Sequence, residues 1–418
     1  MSRWTYAALF SVAVLSLVNV RAAEPPVSLN EAVTRALNAS ATVKSREELI
    51  GGADAGVRQS GALPNPEVQV ELENFAGSGP FRNLDDSELT LGVSQRIERS
   101  GKRDGRVAVA KAERDIAAIE RDKARLDVAL EARRSYFDVS AATVLLDAAK
   151  TRLAAASQIE AMAVRRVNAA RDPITVKLRA EIQTAEARGA YDRATLTLQS
   201  AKSKLASLWG DAGASFSVDA KALFSTPKVS MEAQQDAAPD LKASEAAARR
   251  AASRFALENA NARSDVSVGL GVRRFEFGGD LAGVVSVSVP IAIFDGNEGN
   301  IERAAAEQRA ADLDLIQARR RLQRDVLTLQ ADATRARAEA ITIRKELLPR
   351  AEAALRAARR GYDAGAFSYL ELAESQRTLN ELRTREVEVL RELHFALAAL
   401  DRLSGRIAVA STDQGQQP

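Results

Sequence analysis

The sequence predicts a mainly α-helical chain that lends four strands to a membrane β-barrel, with the whole unit present twice. Three observations carry this. Between Asp265 and Leu347 the apolar pattern changes from a period of two to one of about 3.5, the mark of a hairpin running into a very long helix. The same order of events occurs earlier in the chain. Composition is that of long helices: 28% charged residues, 5% aromatics, and abundant alanine and arginine over 418 residues.

Residues 1–22 read as an export signal. Arg3 supplies the positive start, Ala7 to Val18 an apolar core too short to span a bilayer, and Val20-Arg21-Ala22 a cleavage site after Ala22. Its removal takes the formal charge from +3 to +1, since Arg3 and Arg21 leave and no acid does. Elsewhere acids and bases interleave, which argues against a nucleic-acid surface. No later segment holds the ~20 apolar residues of a transmembrane helix. The chain has no cysteine, which excludes disulfides, thiol chemistry and acylation of an N-terminal cysteine. In a membrane, strands must hold it.

The first repeat is expected over 23–209. It opens with a helix from Leu29 to about Ser60, capped by Ser28 and ended by Pro64-Asn65-Pro66. A hairpin over 67–97 follows, with Val68, Val70 and Leu72 alternating in one strand and Leu89, Leu91 and Val93 in the other. Gly101 and Gly105 mark its exit into a helix from about Arg106 to Arg171, on the order of 100 Å at ~1.5 Å per residue. Asp172-Pro173 breaks that helix, and another runs from Thr175 to Leu208. Residues 210–240 form a mixed linker.

The second repeat, 241–405, has the same order: helix, hairpin over 265–291, long helix, break at Gly361 to Ala366, and a closing helix. Residues 406–418 form a polar tail. Val93-Ser94 returns as Val287-Ser288, and the same offset pairs Gly105 with Gly299 and Glu113 with Glu307. An offset one shorter pairs Asp172 with Gly365 and Glu181 with Glu374; one longer pairs Leu208 with Leu403. Two copies of one unit explain this. The apolar steps Leu322, Val326, Leu329, Ala333, Ala336, Ala340, Ile343 and Leu347 form a coiled-coil seam.

Strands in a bilayer must close into a barrel, because no water pairs their edges there. Closed membrane barrels begin at about eight strands. Four strands therefore demand oligomerisation, and a trimer would give twelve strands around a pore.

These residues resemble the TolC-type outer-membrane efflux family over nearly all of the mature chain. The resemblance rests on Ala62-Leu63-Pro64-Asn65-Pro66, Gly101-Lys102-Arg103, Leu205-Ala206-Ser207-Leu208-Trp209-Gly210, and Gly361-Tyr362-Asp363-Ala364-Gly365 with Leu370-Glu371-Leu372. The first three are most similar to the cobalt–zinc–cadmium (CzcC) branch, with its nickel–cobalt relatives. The resemblance implies a homotrimer whose twelve-stranded barrel sits in outer-membrane lipid and continues into a helical tunnel in the periplasm. It implies a periplasmic adaptor and an inner-membrane pump of the resistance–nodulation–division type as partners. It implies export of divalent cations such as cobalt, nickel, zinc or cadmium. A duct for small organic compounds and a periplasmic coiled-coil adaptor are the alternative readings.

Neither catalytic residues nor a cofactor is expected, and no nucleic acid. A selective metal site needs clustered Cys, His or Met, and the mature chain has only His394, Met162 and Met231. Glu371 and Glu374 stand at i and i+3 after the Gly365 turn. Three copies would form an acidic ring at the tube's end, and the resemblance assigns that place, with Tyr362, to the periplasmic gate. Ordinary helix-start carboxylates are the alternative. The two breaks, with Asn168, Asp172 and Pro173 in one and Gly361, Gly365, Phe367 and Ser368 in the other, are candidate adaptor-docking tips.

Overall fold

The computed structural model describes residues 26–211, 215–229 and 238–406. The expected signal segment, parts of the linker with Met231, and the tail from 407 lie outside them. The described elements are α1 (Leu29–Ala39), α2 (Ala41–Ser60), β1 (Glu67–Glu73), β2 (Glu88–Ile97), α3 (Lys102–Asn168), α4 (Ile174–Ser207), α5 (Pro239–Asn261), β3 (Val266–Phe275), β4 (Leu281–Ser288), α6 (Glu298–Thr342), α7 (Leu348–Ala364) and α8 (Tyr369–Leu403). A π-helical turn, Ile343–Leu347, joins α6 to α7, and a short 3-10 helix, Ala220–Phe224, lies in the linker.

The strands form one antiparallel sheet in the order β1-β2-β3-β4. Register decides its character. Val70 pairs with Leu91, Leu91 with Val272, Val93 with Leu270, and Leu270 with Val285. Directly paired residues share a face, so these side chains form one continuous apolar surface. All are more than half exposed in the single chain. The other face carries Glu67, Gln69, Glu71, Thr90, Ser94, Ser267 and Ser286, which the same register aligns. An exposed apolar face backed by a polar one is the arrangement of a barrel wall between lipid and water. β1 and β4 leave their outer edges without a partner strand.

Each hairpin passes directly into a long helix, and ion clusters set both corners. Lys102 Nζ lies 2.8 Å from Asp265 Oδ1, which also accepts from the Arg99 backbone N–H. Arg106 pairs with Glu98. At the second corner Asn297 donates to the Glu258 carbonyl and carboxylate. The N-caps are Gly101 (φ 75°) and Asn297 (φ 64°), both left-handed, so the two repeats turn their corners in the same way. Gly105 sits one turn inside α3, where a β-carbon would press on Leu257 of α5 at 3.1–3.3 Å. Its role is close helix approach rather than exit from the strand.

Two sequence expectations are corrected. The first helix is not continuous to Ser60. Ser40 leaves the helical conformation and its hydroxyl accepts from the Val43 N–H, starting α2 anew. A serine in an otherwise helical pattern can take this local option. The seam from Leu322 also stops early. Leu322, Val326, Ala333, Ala336, Ala340 and Ile343 are buried, but Leu347 is 37% exposed. The π turn adds a residue to the helical repeat and rotates Leu347 off the seam.

Midway along the tube, α3, α6 and α8 grip the linker. Leu223, Phe216 and Val218 are buried there with Tyr136, Phe137, Leu390 and Leu393. His394 stacks on Phe137 at 4.0 Å, and its Nε2–H donates to the Leu223 carbonyl at 2.9 Å. Burial lowers its pKa to about 4.

Two outcomes follow from these placements. Leu91→Arg on the apolar face is expected to cost about 2–4 kcal/mol and lower the level of assembled protein, whereas Gln69→Arg on the polar face should leave it near normal. The His394 shift stabilises the neutral form in the folded state. Its contribution is therefore complete above pH 6.5 and is lost as pH falls toward 4, by up to about 3 kcal/mol. Urea unfolding of wild type and His394→Phe across that interval measures it: the variant should lack the slope.

Candidate functional site

The candidate gate and docking residues all lie at the two breaks farthest from the sheet, and the structure brings these breaks together. α3 ends at Asn168, and Ala170 takes a left-handed conformation (φ 54°) that folds the chain back. The Arg171 N–H then donates to the Arg166 carbonyl. Pro173 precedes α4, where its fixed φ suits a helix start. In the second break Gly365 (φ 80°) closes α7, with its N–H donating to Tyr362 O and that of Ala366 to Gly361 O. Gly361 must lack a side chain, because a β-carbon there would run into the Phe367 ring.

Three side chains tie the breaks to each other. Arg166 grips Asp172 through two nitrogens, at 2.8 and 3.1 Å. Its third nitrogen donates to the Tyr362 carbonyl at 2.8 Å. The Tyr362 hydroxyl donates to Asp172 Oδ2 at 2.9 Å, and the Arg166 guanidinium lies 4.7 Å from the centre of the Tyr362 ring. Tyr362 is 1% exposed and packs with Ile159, Ala163, Ala180, Tyr369 and Leu372. The hydrogen bonds from Arg166 hold the Asp172 carboxyl below its usual range, and those bonds raise Arg166. Burial, with the bond to Asp172, pushes Tyr362 up to about 12.

The two acidic candidates behave differently from each other. Glu371 is consumed in a capping box: its Oε2 accepts from the Ser368 N–H at 2.7 Å and the Ser368 hydroxyl at 3.1 Å, while Ser368 Oγ accepts from the Glu371 N–H. Glu374 pairs with Arg377 at 2.7 Å, which lowers its pKa. Asn168, Pro173, Gly365, Phe367 and Ser368 are exposed, whereas Asp172 is turned inward. Among the described residues no three His, Asp or Glu side chains stand close enough to hold a metal.

Sequence reading did not single out Arg166. No helical spacing relates it to Asp172, since the pairing depends on the left-handed turn between them. An arginine two residues before the end of a long helix, followed by Asp-Pro, is the only trace it leaves.

A four-stranded sheet with a lipid-type face, continued by helices that end in locked tips, defines a subunit of a membrane channel with a helical tube. Solved structures share this fold. The chain superposes on CusC with a TM-score of 0.75 at 16% identity, covering 90% of this chain and 92% of that one. It superposes on VceC from Vibrio cholerae with a TM-score of 0.73 at 18% identity, covering 90% and 96%. The outer membrane efflux protein family matches over residues 32–211 and again over 231–406, and the chain belongs to that family. The cobalt-zinc-cadmium resistance protein CzcC of Cupriavidus metallidurans is 28% identical over 92% of each chain. The nickel-cobalt-cadmium resistance protein NccC of Alcaligenes xylosoxydans xylosoxydans is 25% identical over 76% of this chain and 70% of its own.

The tie between the tips sets expected outcomes. Tyr362→Phe removes one hydrogen bond, about 1 kcal/mol, and Arg166→Ala removes three and leaves Asp172 with the Tyr362 hydroxyl alone, about 2–3 kcal/mol. Hydrogen exchange over 166–175 and 361–368 should quicken in that order. A raised tyrosine pKa stabilises the folded state fully below pH 10 and loses that effect as pH rises toward 12. Wild-type tips should therefore loosen over that interval, and Tyr362→Phe should not respond.

Proposed function

We propose that this chain is the exit duct of a tripartite efflux system that exports divalent heavy-metal cations across the outer membrane. The observation that carries it is the full-length match to CzcC, a cobalt-zinc-cadmium resistance protein, on a sheet that can exist in a membrane only as part of a closed ring. Three copies supply twelve strands, enough for an open lumen. The long helices extend the lumen through the periplasm to the tips. There a periplasmic adaptor joins the duct to an inner-membrane pump of the resistance–nodulation–division type. The duct itself performs no chemical step, and the pump supplies energy and selectivity. Cargo passes without a resident binding site.

The tips serve as the periplasmic gate and the docking region. The Arg166–Asp172–Tyr362 tie favours the closed arrangement. Glu371 and Glu374 flank the entrance, but one caps a helix and the other faces an arginine. Their field is therefore weaker than that of two bare carboxylates. Pro173, Phe367 and Ser368 present the outer surface for the adaptor.

Cells lacking only this chain should grow poorly on cobalt, nickel, zinc or cadmium salts, and the chain returned on a plasmid should restore growth. Detergent extraction of outer membranes followed by native mass measurement should give a three-chain mass. Unchanged metal tolerance would sink the cation cargo, and a soluble monomer would sink the duct.

A further inference from the structure

The two passages from strand to helix differ in a way that packing within the chain does not explain. After β2 the chain turns polar at once: Ile97 is followed by Glu98, Arg99 and Ser100, and Glu98 is held by Arg106. After β4 it stays apolar through Val289-Pro290-Ile291-Ala292-Ile293-Phe294. Each of these residues is exposed; Ile291 is 81% and Ile293 71% exposed, and Phe294 is fully open. Val285, Val287, Val289 and Ile291 keep the alternation of the apolar sheet face, so the segment carries that face past Ser288, the last paired residue of β4. The Ile293 N–H then donates to the Ile291 carbonyl at 3.0 Å, a three-residue turn about Ala292 that bends the chain before α6 begins.

We propose that residues 289–294 form an apolar strap laid along the periplasmic leaflet of the outer membrane, with Ile291, Ile293 and Phe294 seated where phospholipid acyl chains meet headgroups. Lipid is the occupant that the observations favour. The strap is continuous with the face already turned to acyl chains, and no charged residue occurs from Leu281 to Phe294. Asp295 and Glu298 follow directly, so the return to water falls at Asp295. Ile97 pairs with Val266, one step beyond the Ser267–Ser288 pair, so Val289 stands level with Ile97 and the strap lies on its periplasmic side. Apolar side chains held at that boundary need reach only ~5–10 Å into it. A neighbouring copy is a poor cover. Its β1, the strand offered to the β4 edge, has 7 residues against 8 in β4, and Pro64 and Pro66 before it have no N–H to lengthen the ladder. Water is a poorer one for large apolar side chains in a row. The inference rests on the outer-membrane duct and goes further. It puts the water boundary at Ile97 under the first hairpin and at Asp295 under the second, so each copy grips the leaflet through one corner.

Tryptophan can report on the strap, because the unaltered chain has only Trp4 and Trp209. Full-length protein carrying Phe294→Trp is returned to phosphatidylcholine vesicles whose acyl chains bear bromine either near the headgroup or near the chain end. Leu91→Trp, on the apolar sheet face, is measured in parallel, and the unaltered chain gives the background. Phe294→Trp should lose most of its added emission to bromine near the headgroup and much less to bromine near the chain end, with little effect of iodide in the water. Leu91→Trp should be quenched by brominated lipid. Ile291→Trp provides a second reading should Phe294→Trp fail to assemble. If Leu91→Trp responds to lipid while the strap tryptophan responds only to iodide, the strap lies in water; if it responds to neither quencher, protein covers it. Either result overturns the strap while leaving the duct. No response to lipid at either place overturns both.

Discussion

The unpaired backbone edges of β1 and β4 are the constraint from which the rest of the molecule follows. In lipid each unsatisfied N–H or C=O costs several kcal/mol, and among the described residues no further strand pairs with those edges. The sheet can be stable in a membrane only when another copy supplies the missing strand. Its apolar face, from Val68 through Val285, has nothing to pack on in the single chain and finds its place only against acyl chains. The helices inherit this incompleteness. They leave the sheet at corners pinned by Asp265 and Glu258, so the path of each long helix is set by the strand it follows.

That frame was largely legible from residues. Alternation at period two marked all four strands, because a strand between lipid and water must alternate. The long period near 3.5 marked the helices, because one stripe of each must meet its neighbour. Duplication then doubled the weight of each reading: Gly101 and Asn297 hold equivalent left-handed corners although their side chains differ. What escaped was set by local competition or by distance in sequence. Ser40 could continue a helix or cap a new one, and composition does not decide between them. The π turn at Ile343–Leu347 has no distinctive residue pattern, yet it moves Leu347 from seam to surface.

The tips show the same division. Position was readable, since Asp172-Pro173 and Gly365 can only end helices. Partnership was not. Glu371 and Glu374 looked alike as two carboxylates on one helical face, but a serine three residues earlier takes one and an arginine three residues later takes the other. Arg166 and Tyr362 lie 196 positions apart in the chain and meet only because both repeats fold into the same hairpin length.

Equal hairpin length brings the two tips to one carboxylate, Asp172. Asp172 joins two donors, Arg166 from its own hairpin and Tyr362 from the other, so parting the hairpins breaks the two bonds to Tyr362 and leaves the Arg166–Asp172 ion pair whole. At the far end of α7 the π turn itself is held, where its Arg344 reaches the Phe224 carbonyl and Glu386. Between the π turn and the tip α7 rests mainly on α8, and it meets the first hairpin through Arg359–Gln158 and the two bonds to Tyr362.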